Sequence, residues 1–141
     1  MIIKQLSIFL ENKSGRLADV LGVLGDAGIA IKALTIADTS EYGILRLIVS
    51  DDAKALEALR SEGFSVNFTD VISIATPSEA GSFANILKIM AANSISVEYM
   101  YAFSFNQKAA IVMRPENITR TIEVMKSQGI DLITSSELRA M

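Results

Sequence analysis

Apolar and polar positions along this chain run through one pattern twice. Residues 2–10 alternate around Leu6, Ile8 and Leu10, which is the period of a half-buried strand. Leu17, Val20, Leu21 and Leu24 then recur at helical spacing, and Gly28 suits the end of that helix. Residues 29–38 are apolar and rich in β-branched types, 39–43 carry turn chemistry, and 43–50 read as a further strand. Asp51 and Asp52 suit the first turn of a second helix, because carboxylates there meet the positive end of its dipole. Gly63 ends that helix and residues 64–68 begin a last strand.

An offset of 66 residues carries this pattern onto the rest of the chain. It pairs Ile8 with Ile74, Gly15 with Gly81, Val20 with Ile86, Leu24 with Met90, Leu59 with Met125 and Gly63 with Gly129. The second copy therefore predicts strands over 71–76, 95–103, 108–114 and 130–135, and helices over 82–93 and 117–128. The order βαββαβ, twice, implies an α+β fold of two ferredoxin-like modules, each a four-stranded antiparallel sheet with both helices on one face. The expected boundaries are 1–70 and 71–141, with the modules side by side. Residues 66–76 read as nearly continuous strand, and a unit of some seventy residues is marginal alone, burying only about 60% of its unfolded surface. The copies are thus expected to pack together and to build a site jointly.

Composition removes several function classes. The 141 residues contain no histidine and no cysteine, so Ser-His-Asp triads, Cys nucleophiles, disulfides and thiolate metal sites have no parts, and neither a metal nor a cofactor is expected. A net charge of −3 opposes nucleic-acid binding, and the strands 43–50 and 108–114 lack the stacking aromatics an RNA-binding sheet would present. No apolar run approaches the ~20 residues needed to span a bilayer, and the first residues lack a signal-peptide pattern, so no membrane partner and a cytoplasmic location are expected.

The loop before the first helix holds the most informative chemistry. Gly15 permits close backbone approach, the open N–H groups of a helix start seat a carboxylate, and Asn12 offers both a donor and an acceptor. Arg16 stands where a cation opposes the helix dipole, which a bound carboxylate would offset. Two plainer readings stay open: Arg16 pairing with Asp19 or Glu11 at the surface, and Ser14 and Gly15 serving only as turn and cap.

The run Glu11-Asn12-Lys13-Ser14-Gly15-Arg16-Leu17, the helix end Asp26-Ala27-Gly28 and the strand Ile29-Ala30-Ile31 resemble an ACT domain, a small regulatory module that binds amino acids. The second copy matches with Thr76-Pro77-Ser78-Glu79-Ala80-Gly81-Ser82-Phe83 and Asn93-Ser94-Ile95-Ser96-Val97. The resemblance covers the chain as two tandem copies. It implies a ligand where the first loop of one module faces the second strand of its neighbour. The second loop departs from the pattern: Ser78, Glu79 and Ser82 replace Asn12, Lys13 and Arg16, so a carboxylate is less welcome there.

One principal site is therefore expected, drawing Asn12, Ser14, Gly15, Arg16 and Leu17 from the first loop, Tyr99, Met100 and Tyr101 from the second copy's second strand, and Gly81 from its loop. In that strand Ile95 and Val97 share a face while Met100 and Ala102 continue the buried pattern one position out of phase, which predicts a bulge near Glu98. Tyr99, Tyr101 and Phe103 then point away from the helices, where a second copy of the chain would cover them. The expected protein is a non-catalytic amino-acid sensor, homodimeric, acting on a regulated enzyme in trans. The alternatives are a structural assembly protein without ligand and an acylphosphatase-like enzyme using Arg16 with an Asn.

Overall fold

The computed structural model describes residues 1–11, 13–38 and 41–140. Six strands and five helices follow in the order β1 (Ile3–Glu11), α1 (Arg16–Asp26), β2 (Ile31–Asp38), β3 (Tyr42–Val49), α2 (Asp52–Ser61), β4 (Ser65–Thr76), α3 (Ser82–Ala92), β5 (Val97–Phe105), β6 (Lys108–Pro115), α4 (Ile118–Ser127) and α5 (Ser135–Arg139). The chain divides into two compact units. One holds residues 4–69 and 136–141, the other residues 70–135 and 1–3. Each chain end thus belongs with the copy that is not its own in sequence, and the twelve-residue strand β4 passes from the first unit into the second.

In the first module the strand order is β2-β3-β1-β4, with β1 antiparallel to β3 in a register that pairs Leu6 with Leu47 and Ile8 with Leu45. These residues, with Leu10, Val49, Phe64 and Val66, turn one face of the sheet to Val20 and Leu24 of α1 and Ala55 and Leu59 of α2. The second module has the order β4-β6-β5, with residues 131–133 on the outer side of β4. Its core gathers Ile72, Ile74, Ile86, Met90, Ile95, Ile111, Met113 and Met125. Each of these eight residues lies 66 positions after a member of the first core, so the duplication read from apolar spacing is a duplication of packing.

Backbone chemistry repeats as well. Gly15 and Gly81 precede α1 and α3 with φ of 86° in both, a left-handed conformation that suits glycine. Asp51 accepts from the Lys54 amide at 3.1 Å, and Asn117, 66 residues on, accepts from the Arg120 amide at 3.0 Å, so α2 and α4 have the same N-cap. The bulge expected near Glu98 is present. Pairing of β5 with β6 slips between Val97 and Tyr99, and that of β2 with β3 slips at the matching place between Ile31 and Ala33. As a result Met100 turns to the second core, while Tyr99, Tyr101 and Phe103 pair with Arg114, Val112 and Ala110 on the face without helices.

One expected element is corrected. Residues 130–135 do not form a full strand; they make one bridge, Ile74 to Leu132, supported by hydrogen bonds from the Ala75 amide to the Asp131 carbonyl and from the Ile133 amide to the Ser73 carbonyl. Helix α5 begins at Ser135 and buries Leu138. The run Thr134-Ser135-Ser136-Glu137 has capping-box spacing, a helix-start signal that ends the strand early. The strand expected from residue 29 likewise starts only at Ile31, because the Ile29 amide still closes the end of α1 through the Leu24 carbonyl.

Candidate functional site

The loop that joins β1 to α1 is built by its glycine. Gly15 directs the chain into the helix with no side-chain cap, and the Asp19 amide is bonded to the Gly15 carbonyl at 2.9 Å. The Leu17 and Ala18 amides lie in the first turn, where N–H groups have no partner within the helix. Lys13 Nζ meets Glu11 Oε2 at 2.8 Å. That hydrogen bond, then the charge of Lys13, and least the charge of Arg16, hold the Glu11 carboxyl below the usual glutamate range. The sign follows: a depressed carboxylate favours the folded chain above its ordinary range, and the contribution disappears as pH falls through the folded value. The group is fully exposed, so the effect is slight.

Arg16 leaves the helix start toward a groove of about 200 Å³ lined by Leu10, Glu11, Lys13, Arg16, Leu17, Ile36, Asp38 and Gly43. Its Nη1 lies 3.7 Å from Asp19 Oδ2, its Cζ lies 4.7 Å from the centre of the Phe64 ring, and its Nε is buried with no partner among the described residues. The surface pair with Asp19 that the sequence left open is therefore present, but too long for a hydrogen bond. The floor is apolar. Ile36 pairs with Leu45 and so stands on the helix side of the sheet, yet it is 45% exposed because it lies on the edge strand. Gly43 lines the mouth, where a Cβ would stand in ordinary contact with Ile36 Cγ2 at 3.7 Å. Two cations, Lys13 and Arg16, two carboxylates and three aliphatic side chains around a small hollow offer both charges that a zwitterion with an apolar side chain needs.

The corresponding hollow of the second module is larger, about 410 Å³, and is lined by Pro77, Ser78, Glu79, Gly81, Phe83, Ala84 and Ala109. It has no cation. The helix start is built alike, with the Asn85 amide bonded to the Gly81 carbonyl as the Asp19 amide is to that of Gly15, while the side chains around it differ.

Of the residues expected from sequence, Arg16 and Leu17 line the first groove, and Ser14 and Gly15 shape the exposed loop beside it. Asn12 lies outside the described residues. Gly81 lines the second hollow, while Met100 packs into the second core and the half-buried Tyr99 and Tyr101 stand on the helix-free face of that module. Sequence reasoning missed Leu10, Glu11, Lys13, Ile36, Asp38, Gly43 and Phe64. A signal existed for Ile36 and Asp38: the bulge in β2 puts both on the helix side, by the same phase argument that placed Met100. For Phe64 there was none, because its meeting with Arg16 is a long-range contact.

Among the described residues no group of three or more acidic side chains is placed to hold a metal ion, and no helix is long and apolar enough to cross a membrane. The chain is similar to the acetolactate synthase isozyme 3 small subunit of Salmonella typhimurium, with 27% identity over 129 residues that cover 90% of this chain and 68% of that protein. A crystal structure of a protein from Bacteroides thetaiotaomicron is 47% identical, with a TM-score of 0.96 over 100% of this chain and 98% of that one. The fold is also that of the regulatory subunit of aspartate kinase from Thermus thermophilus, with a TM-score of 0.63 at 17% identity over 88% of this chain and 91% of that one. A family model described as an ACT domain pair matches residues 1–141, and the chain belongs to that family.

Proposed function

We propose that this chain is a regulatory protein that binds an amino acid in the groove of its first module and passes occupancy to a catalytic partner in trans. The observation that carries the reading is Arg16: a cation at a helix start, lining a small hollow with Glu11, Asp38 and an aliphatic floor. The α-carboxylate meets the guanidinium and the open amides of the first turn, the α-ammonium meets Glu11 or Asp38, and an aliphatic side chain covers Leu10, Leu17 and Ile36. Similarity to a protein named as the small subunit of acetolactate synthase supports output through a separate catalytic chain. Thermal denaturation across the twenty amino acids tests the reading. At a hundredfold excess over Kd a true ligand stabilises by about 2.7 kcal/mol; a panel with no shift at millimolar concentration removes it.

Gly43 supplies a sharper check. Adding a methyl group there meets Ile36 Cγ2 at 3.7 Å and the Ala37 carbonyl at 3.8 Å, which is ordinary contact, and the second module already has Ala109 at this place. Gly43→Ala is expected to raise stability by about 0.5–1 kcal/mol through the lost freedom of glycine in a strand while lowering affinity for the amino acid. Equal affinity in the two chains counts against a ligand in this groove.

The proposal includes a second copy of the chain as a partner. In the second module Tyr99, Tyr101 and Phe103 stand half-buried on the helix-free face, and on that of the first module Phe9 is 53% exposed beside Ile44. A two-fold partner would cover the exposed parts of these side chains. Tyr101→Asp is expected to dissociate the dimer with its secondary structure intact. Sedimentation equilibrium showing a 15.2 kDa species at high micromolar concentration for the unaltered chain would contradict this.

A further inference from the structure

Phe64 stands against the cation that carries the proposed site. It follows the Gly63 turn after α2, is 8% exposed, and belongs to the first core. Its ring centre lies 4.7 Å from Arg16 Cζ, within the range where a guanidinium is drawn to the ring quadrupole.

The kind of contact matters. Stacking occupies one face of the guanidinium, whereas its hydrogen bonds are made by N–H groups in the plane. A core carboxylate could have held Arg16 equally firmly, but it would have used those donors. Phe64 uses none. Asp19 takes little, since Oδ2 reaches Nη1 only at 3.7 Å, and Nε has no acceptor among the described residues. The cation is held in place with donors still to be satisfied.

The duplication supplies an independent comparison. The 66-residue offset carries Arg16 to Ser82 and Phe64 to Ile130, so the second module lacks both members of the pair. Both helices start from the same left-handed glycine, with φ of 86° at Gly15 and at Gly81. Had the aromatic ring served packing alone, nothing would tie its presence to that of the arginine.

We propose that Phe64 is a positioning residue: its ring pins the Arg16 guanidinium by one face and reserves the in-plane N–H groups for a ligand carboxylate. The inference rests on the reading of Arg16 as the carboxylate seat. Preorganisation is the benefit, because an arginine already held loses less side-chain freedom when the ligand arrives.

Side-chain NMR of the full-length labelled chain tests it, with sodium acetate as a bare carboxylate probe. In the unaltered protein the Arg16 side-chain protons should be shifted upfield by the ring, and its Nη protons should move on acetate addition. Phe64→Tyr should keep both features. Phe64→Leu should lose the upfield shift and raise the acetate midpoint about fivefold, the loss of a partly exposed cation–π contact. Absence of the upfield shift in the unaltered protein overturns the proposal, and that spectrum decides the stacking even if Phe64→Leu fails to fold. An unchanged acetate midpoint in a folded Phe64→Leu overturns it too, as does a Phe64→Tyr chain that behaves like Phe64→Leu. A response to acetate with none to any amino acid would instead sink the amino-acid reading and leave the pairing of Phe64 with Arg16 standing.

Discussion

Separate expression of residues 1–70 and 71–141 is expected to yield two chains that do not fold. A cut after Asp70 divides β4, a twelve-residue strand whose two parts serve different units. It also removes from each unit a segment that the fold assigns to it. Residues 1–3, with Ile3 only 3% exposed, leave the unit of 70–135, and residues 136–141, with Leu138 at 2%, leave the unit of 4–69. Loss of one buried aliphatic side chain costs about 2–5 kcal/mol, against a total stability of about 5–15 kcal/mol for a domain. Each remainder is also near the size at which burial is marginal. Circular dichroism and proton–nitrogen correlation spectra of each half check this. Two well-dispersed spectra that add up to that of the full chain would show the modules to be independent.

Arg16→Ala is expected to weaken amino-acid binding by about tenfold to a hundredfold, the worth of a charge-assisted hydrogen bond of about 1.5–3 kcal/mol. Ser82→Ala, at the matching place in the second module, should leave affinity unchanged because the hollow there offers no cation. Folding should survive both changes. Arg16 is partly exposed, and its dipole-opposing position costs the helix about as much as the ring contact with Phe64 contributes. Calorimetric titration with whichever amino acid raises the melting temperature compares the three chains. Equal affinities in all three would move the site away from the first loop.

Much of this protein was settled by local rules that can be read along the chain. The apolar spacing of Leu6, Ile8, Val20 and Leu24 determined which face of each element is buried, and its recurrence 66 residues later determined that there are two modules with equivalent cores. Gly15 and Gly81 needed left-handed backbone and have it; the phase slip before Met100 required a bulge and it is there. Each of these features depends on a residue and its neighbours within about one turn or one strand. What only the tertiary structure decided involves partners distant in sequence. Periodicity starts a strand at Phe64, but does not show that Arg16 rests over its ring. It places Ile36 on the helix side, but not that an edge position leaves it open as the floor of a groove. It foresaw a strand at 130–135, where the chain makes one bridge and then turns into α5, which buries Leu138. The two loops differ in charge, which the sequence showed; that the first hollow is closed by Ile36, Asp38 and Gly43 from β2 and β3, and the second by Ala109 from β6, only the folded chain decided. Local pattern states which way a side chain points, and only the folded chain determines what it meets.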